Sequence, residues 1–338
     1  SNQLGCKARF QAPDALPFFT LSLVIAISRV SAFQARPGNL LALRATISRL
    51  APEFTGSRAV QRSNFGASMS ASPLKVRSIT SFVALSNDLV QDTGSLSGVF
   101  ANAIRNNDEL KAVFESRGLE VQTTRIATNS FEQWLTLADE KALDSEVASF
   151  SKVLAEQSVM FCSIGAARSE LGLSKIPTIL NRSPVINSSC DLLAPSNTSR
   201  ADFGWYRAAA ECCLQISQNS PGGAANFRFC ASANIAPGVP FFPAAYHASS
   251  APAAFAIALE NGGVAYSAFC SAAIEHAEKR TERVEQGLKR LGSELQRACI
   301  DIEADCLAAA EESGMTYLGI DTSLNPALAD GGSIVQAC

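Results

Sequence analysis

The sequence predicts an α/β protein, because segments with the pattern of strands alternate with segments with the pattern of helices. The stretch 74–85 alternates and is rich in β-branched residues, and 159–164 is a short apolar run typical of a fully buried strand. The 338 residues are 47% hydrophobic, which is enough apolar material for a sizeable core and corresponds to one or two domains.

The first half of the body begins with the strand over 74–85. Gly165 follows the apolar run 159–164 and is expected to end that strand. The stretch 176–199 is polar and contains three prolines. The other elements predicted in this half are a helix over 95–116 ended by Gly118, a strand over 119–127, one or two helices within 131–157, and short strands at Ile179 and 185–186.

The second half contains the longest regular segment, a helix predicted over 268–313 and ended by Gly314. Pro221, Gly222 and Gly223 are expected to break the chain before it. The remaining predicted elements are a helix over 205–218, a strand over 227–233, extended pieces at 255–259 and at Val264, and a strand over 316–321.

The long helix carries an apolar seam in which the spacing alternates between three and four residues. Such a seam is typical of one helix packed along a sheet or against a neighbouring helix, and also of a dimerising coiled coil. If the helix forms a dimerising coiled coil, the solution mass should be near twice that of the monomer. The substitutions Leu288→Asp and Leu295→Asp should then abolish the dimer. The seam consists of Ile274, Ala277, Thr281, Val284, Leu288, Leu291, Leu295, Ala298 and Ile302.

The first 73 residues have the composition of targeting segments. Lys7 and Arg9 precede a 12-residue apolar run, which is too short for a bilayer that needs about 20 residues but is typical of a signal peptide, predicted over 1–32. Residues 33–73 are rich in Ser, Ala and Arg, as in a transit peptide, which predicts a disordered segment and plastid import. Alternatively, translation starts at Met69 and the protein is cytoplasmic. The fold is expected in 74–338, with no membrane association in the mature form.

Charge and cysteine spacing exclude several classes of function. The chain has 28 basic and 31 acidic residues, but its first 74 residues hold 8 of the basic residues and only 2 of the acidic ones. The remainder is acidic, which argues against a nucleic-acid-binding body. The ten cysteines are scattered and include no C-x-x-C pair, so we expect buried free thiols in a reducing compartment.

The stretch 226–247 is the first candidate site, because it follows a predicted strand and combines a stiff loop with one of only two histidines. Its end, PFFPAAYH, holds His247 at a defined position after two prolines. The imidazole is suited to a general acid or base, and the alternative is a structural histidine bonded at a loop end. Asn234 in the same stretch is a candidate ligand-binding residue.

The stretch 319–330 is the second candidate site, because Asp321 closes an apolar strand and such strand ends commonly bind ligands in α/β proteins. Period-two alternation places Ser323 and Asn325 on the same face as Asp321. Asp330 precedes two glycines whose backbone N–H groups are suited to an anion. The alternative for both aspartates is helix or turn capping.

Arg168, after the buried strand, offers a fixed cation for a carboxylate, or is a surface arginine without a role. No HExxH motif or Cys/His cluster occurs, and two histidines exclude a His-rich metal site. A carboxylate site for Mg²⁺ or Ca²⁺ stays open but has no motif that signals it, so no metal ligand is predicted and the cofactor is unknown.

Six motifs carry a resemblance to a known family: VRSIT near Arg77, VQTTRIAT near Arg125, FCSIG at Phe161, NFRFCA at Asn226, PFFPAAYH at Pro240 and GIDTSLNP at Gly319. On these motifs the chain resembles domain-of-unknown-function family 711, whose members are uncharacterised proteins. The resemblance covers 74–338 and implies a fold like that of the pyruvate formate-lyase type glycyl-radical enzymes, a ten-stranded α/β barrel with outer helices. It implies no reaction. Members continue beyond the last motif, so the resemblance implies that this chain is truncated at its C-terminus.

These observations lead to three hypotheses of function. The first is an enzyme or enzyme-like protein that acts on a small carboxylate-bearing ligand in a barrel pocket, with His247 as acid or base and Asp321 orienting it or the ligand. The second is a ligand-binding or regulatory protein that uses the same pocket without chemistry. The third is an interaction protein that dimerises through the long helix.

Overall fold

The structure is a computed structural model and describes residues 74–193, 203–275 and 279–324. The signal-peptide and transit-peptide predictions over 1–73, including the alternative start at Met69, lie outside the described residues.

The fold is built on one mixed sheet of seven strands in the order β5-β4-β3-β2-β1-β6-β7. Each pair of neighbours from β1 to β5 is parallel, β6 runs antiparallel to β1, and β7 is parallel to β6. Strand β1, the first strand of the described residues, therefore occupies an interior position in the sheet. The strands are β1 (Lys75–Val83), β2 (Thr124–Thr128), β3 (Cys162–Ala167), β4 (Ile186–Asp191), β5 (Phe229–Ser232), β6 (Ala254–Glu260) and β7 (Thr316–Asp321).

The described helices pack against one face of this sheet, which we call the helical face. The α/β class predicted from the alternation of patterns is confirmed. Two 3-10 segments, Phe131–Gln133 and Pro221–Arg228, complete the connections. The helices are α1 (Asn87–Gln91), α2 (Thr93–Ser116), α3 (Glu140–Glu156), α4 (Glu170–Arg182), α5 (Phe203–Gln218), α6 (Gly262–Glu275) and α7 (Arg280–Ser313).

Helix α2 shows how the sequence sets the packing on the helical face. Asp92 accepts a hydrogen bond from the Gly94 backbone N–H and begins the helix. One face of α2 is then apolar at intervals of three or four residues, and this face lies on β1 and β2. Its buried apolar residues are Leu96, Phe100, Ala103, Leu110 and Phe114.

Two apolar clusters form the core on the helical face. The larger one joins α2, α3, α4 and α5 to β2, β3 and β4, with Phe150 and Trp134 near its centre. The second joins α2, α6 and α7 to β1, β6 and β7 around Phe255 and Ile302. Because α2 and β1 supply residues to both clusters, the two form one continuous layer.

The strand predicted to end at Gly165 continues to Ala167. Gly165 has φ +78°, and the register between β3 and β4 shifts at this point. The glycine therefore forms a β-bulge within the strand and does not end it. Strand β2 starts at Thr124, later than the 119–127 pattern predicted, and Val121 makes only an isolated bridge to Val76.

Two short elements were predicted wrongly. Ile179 lies in α4 instead of a strand, because an amphipathic face and a Ser169 cap outweigh the interior Pro177. Val264 lies in α6, where it is buried in the second cluster. In both cases tertiary burial of a helical apolar face overrides the local signal.

The long helical segment is divided into α6 and α7 instead of forming one helix. Gly314 ends α7 with φ +69°, as predicted. Towards this end the apolar seam packs into the protein's own core, with Leu291 and Ile302 buried. Towards the other end Val284 and Leu288 remain 41% and 42% exposed. Ala277 of the seam lies outside the described residues. A homodimer formed through the exposed part stays a prediction.

Candidate functional site

The face of the sheet opposite the helices carries the candidate site. We call it the second face. The irregular segment 233–253, the covering loop, crosses it between β5 and β6. Phe242 and Ala245 of the loop pack with Phe82 of β1 and Ala127 of β2. Ser163 of β3 donates to the carbonyls of Pro243 and Ala245 at 2.9 and 2.6 Å, so the loop is fixed to the sheet by polar and apolar contacts.

Arg125 is the most distinctive side chain on the second face. It is half-buried on β2, two residues before Ala127, and its guanidinium carbon lies 5.0 Å from the Phe242 ring centroid and 5.6 Å from that of Phe161. Both distances are within the range of cation–π contacts. Its Nε donates to Thr123 Oγ1 at 2.9 Å.

The charge of Arg125 has no carboxylate partner within the described part of the chain. Burial, together with the neighbouring positive charge of Arg77, lowers the pKa of Arg125 to about 10. The guanidinium is therefore still charged near neutral pH. A half-buried cation beside a like charge is destabilised, and an anion placed against its free N–H groups would offset this cost.

Unpaired hydroxyl groups accompany this cation. Thr80 is the ladder neighbour of Arg125 on β1, and its Oγ1 is buried without a hydrogen-bond partner among the described residues. Ser78, two residues earlier, has an Oγ in the same state. Both are oriented to the second face, because Ile79 and Ser81 contact α2 on the other side.

Arg77 and Glu260 close one side of this polar area with an ion pair of 3.2 Å between Nη1 and Oε2. The other carboxylate oxygen of Glu260, Oε1, is buried and unpaired among the described residues. The area therefore offers a cation, hydroxyl groups and a carboxylate acceptor, the polar groups that fix a small polar ligand.

His247 also lies on the second face, at the end of the covering loop. Its backbone N–H donates to the Thr128 carbonyl at 3.0 Å, and its ring lies 6.0 Å from the Phe82 ring. Nε2 is 3.1 Å from the Pro252 carbonyl, and since a carbonyl only accepts, Nε2 carries the proton. Nδ1 is then the nitrogen available as a base. Burial lowers the pKa of His247, opposed by the carbonyls of Pro252 and Ala251.

The structure does not bring His247 and Asp321 together. Asp321 pairs with Ala258 across the β6–β7 ladder, and Ala258 pairs with Ser78, whereas His247 lies beside Phe82, four residues further along β1. At about 3.3 Å per residue this is about 13 Å along the strand, before the separation across strands. Asp321 Oδ1 accepts from the Ser323 N–H at 2.9 Å and contacts the Ser323 hydroxyl, the arrangement of a turn cap.

Arg168 and Asn234 lie beyond the carboxyl ends of β3 and β5. Arg168 is exposed, lies 5.4 Å from the Tyr246 ring and donates to the Tyr246 hydroxyl at 3.3 Å. Asn234 is exposed and adopts φ +59°, a conformation typical of a turn. Asn325 and Asp330 lie outside the described residues.

Arg125 and Thr80 were not among the residues singled out from the sequence. An arginine inside a strand-like segment, VQTTRIAT, was the available signal. Its significance depends on Phe242, which lies far away in sequence. The described cysteines are free thiols, and burial raises the pKa of Cys306 to about 12 and that of Cys230 to about 11, so neither thiol is activated as a nucleophile.

No group of three or more His, Cys, Asp or Glu side chains among the described residues is arranged to hold a metal ion. No helix within the described ranges is both long enough and apolar enough to cross a bilayer.

The model of a family described as "Uncharacterised ACR (DUF711)" matches residues 68–338. No curated protein matches the chain significantly.

Proposed function

We propose that this chain binds a small carboxylate-bearing molecule on the second face of its sheet. The chain belongs to the DUF711 family of uncharacterised proteins, since the family model matches residues 68–338. Arg125 anchors the carboxylate. The observation that carries the proposal is the half-buried guanidinium that lies against two phenylalanine rings and has no carboxylate partner among the described residues.

The surroundings of Arg125 support a small polar ligand. A carboxylate bound through two N–H groups of the guanidinium would replace the missing counter-charge. The hydroxyl groups of Thr80 and Ser78 and Oε1 of Glu260 would pair with polar groups elsewhere on the ligand, since each is buried and unpaired in the described chain. Apolar atoms of the ligand would contact Phe242 and Phe161.

His247 provides a candidate general base for a reaction at this binding site. It lies on the same face as Arg125, beside Phe82, whose ladder partner Ala127 is two residues beyond Arg125. With Nε2 held by Pro252, Nδ1 is the basic atom, and the lowered pKa keeps it unprotonated at neutral pH. The alternative within the same site is binding without turnover, in which His247 only fixes the end of the loop.

The test is a thermal-shift screen of the full chain against amino acids, keto acids, nucleotides and divalent ions. The screen is repeated with one variant at Arg125 and one at Arg168. A bound carboxylate raises the melting temperature by mass action. Arg125→Met keeps the apolar contact with the rings and removes the charge, so we expect it to weaken carboxylate binding by about 2 kcal/mol or more, roughly 30-fold in Kd. Arg168→Met is the matched control and should leave binding unchanged.

Three outcomes would count against the proposal. Loss of binding in Arg168→Met alone would place the site at the carboxyl ends of β3 and β5 instead. Equal binding by both variants would remove Arg125 from the site, and no response to any carboxylate would reject the ligand class. Turnover of a bound ligand that is lost in His247→Gln, with binding retained, would distinguish the enzyme from the binding protein.

We also propose that the seven-stranded sheet is part of a ten-stranded α/β barrel like that of the pyruvate formate-lyase type enzymes. Five parallel strands in sequential order, followed by a reversal of direction at β6, support this arrangement. An experimental structure tests it, since a sheet whose β5 and β7 edges both stay open would contradict a closed barrel.

A further inference from the structure

A second candidate site lies on the other side of the sheet. A cleft of about 720 Å³ opens between α2, the residues just before β6 and the carboxyl end of α7. Val83 and Met315 contribute apolar walls, and Glu109 and Glu312 contribute carboxylates. Val83 and the α2 residues of the lining belong to the helical face, whereas Arg125 lies on the second face. Ala251 and Ala253, at the end of the covering loop, close the cleft where the loop enters β6.

Asn106 is the unusual residue of this cleft. It is only 2% exposed, and neither its Oδ1 nor its Nδ2 has a hydrogen-bond partner among the described residues. Its neighbour Asn107 is buried to the same extent, but both atoms of its amide are hydrogen-bonded. Oδ1 accepts from the Ser81 hydroxyl at 2.8 Å, and Nδ2 donates to the Arg125 carbonyl at 3.1 Å.

An unpaired buried amide is costly. Each unsatisfied donor or acceptor costs about 1–3 kcal/mol, so a helix that needed only packing at this position would be more stable with leucine. A ligand group that offers one acceptor and one donor side by side would satisfy both atoms of Asn106 at once. Another carboxamide is the simplest group with that pattern.

The remaining lining selects among carboxamides. The cleft carries the two carboxylates of Glu109 and Glu312 against one cation, Arg105, whose guanidinium contacts the Asn102 side-chain oxygen. This excess of negative charge disfavours a ligand carboxylate and favours an ammonium group. The apolar walls favour an aliphatic group, and the volume is within the range of small-molecule sites.

We infer that the cleft between α2 and the end of α7 binds a small carboxamide that carries an ammonium group and an aliphatic side chain, with Asn106 pairing with the amide. The cleft is lined by none of the residues proposed to bind the carboxylate, so the two proposals stand or fall independently.

The test uses L-leucinamide as the probe and calorimetric titration of the full chain. L-leucine methyl ester is the matched ligand, since it keeps the charge and the side chain but lacks the amide N–H donors. We expect leucinamide to bind at least tenfold more tightly than the ester. Asn106→Leu, which is close in shape and removes the unpaired atoms, should remove this preference while the melting temperature stays equal or rises.

Two further variants keep the test decisive. Glu312→Gln, at the exposed rim, should weaken leucinamide binding severalfold without affecting the fold. Arg125→Met should leave leucinamide binding unchanged, because it acts on the other side of the sheet. Equal binding of amide and ester, unchanged preference in Asn106→Leu, or no binding of leucinamide at millimolar concentration would each overturn the inference.

Discussion

At the scale of single residues, the buried imidazole of His247 links stability to pH. The fold lowers its pKa below the ordinary 6.5, so the unfolded chain takes up a proton at a higher pH than the folded chain does. The contribution of His247 is therefore fully present above about pH 6.5 and is lost as the pH falls towards the folded pKa. We expect the melting temperature to fall over that range, and His247→Gln to remove this component of the fall.

The measurement is the melting temperature of both proteins between pH 8 and pH 5. His247→Gln is expected to be less stable than the parent at neutral pH, because it disturbs the contact with Pro252, and the gap should narrow as the pH is lowered. A gap that stays constant with pH would mean that the imidazole titrates alike in both states.

Sequence patterns identified one residue of the candidate site and missed another. His247 stood out because it follows two prolines in an irregular stretch, and that stretch does form a loop on the second face of the sheet. Arg125 did not stand out, because a single arginine in a strand has no local signal of being unpaired. Its state depends on Phe242, Arg77 and Thr80, which only the folded sheet brings to it.

At the scale of the element, a substitution at Gly165 tests whether the bulge in β3 requires glycine. A Cβ at Gly165 would lie 2.9 Å from the Ser130 Cα and 3.0 Å from the Ser130 nitrogen, and the residue has φ +78°. Backbone atoms cannot withdraw as a flexible side chain can, so Gly165→Ala should cost about 3 kcal/mol, the sum of a left-handed backbone and a steric overlap.

Gly118 provides the matched control for that substitution. It has a similar φ of +80°, but nothing lies within 4 Å of the position a Cβ would take. Gly118→Ala should therefore cost only the conformational part, about 1 kcal/mol. Denaturant unfolding of both variants measures the difference, and equal losses would show that the contact with Ser130 is relieved at no cost.

Elements were predictable where one periodicity dominated the segment. Strand β7 begins and ends where the pattern placed it, and β1 differs only at its ends. Both runs are short and rich in β-branched or aromatic residues, and these features favour a strand over a helix. Helix α4 was missed, because Pro177 and the polar surroundings signal a loop, whereas burial of Leu173, Ile176 and Leu180 decides the outcome. The strand order, with β6 beside β1, had no local signal at all.

At the scale of the whole molecule, helix α2 and strand β1 join the two apolar clusters. Phe100 of α2 lies in the first cluster and Phe114 in the second, and β1 contributes Val83 to the first and Ile79 to the second. Neither cluster can lose its packing while these two elements stay fully buried. We therefore expect the described body to unfold in a single transition.

Matched core substitutions test this coupling. Phe150 packs against Trp134 in the first cluster with ring centroids 5.0 Å apart, and Phe255 packs against Tyr317 in the second at 5.5 Å. Phe150→Leu and Phe255→Leu should each cost roughly 1–2 kcal/mol. In calorimetry each should lower the temperature of one common transition. A second transition in either variant would show instead that the half of the sheet around β6 and β7 unfolds separately from the parallel half.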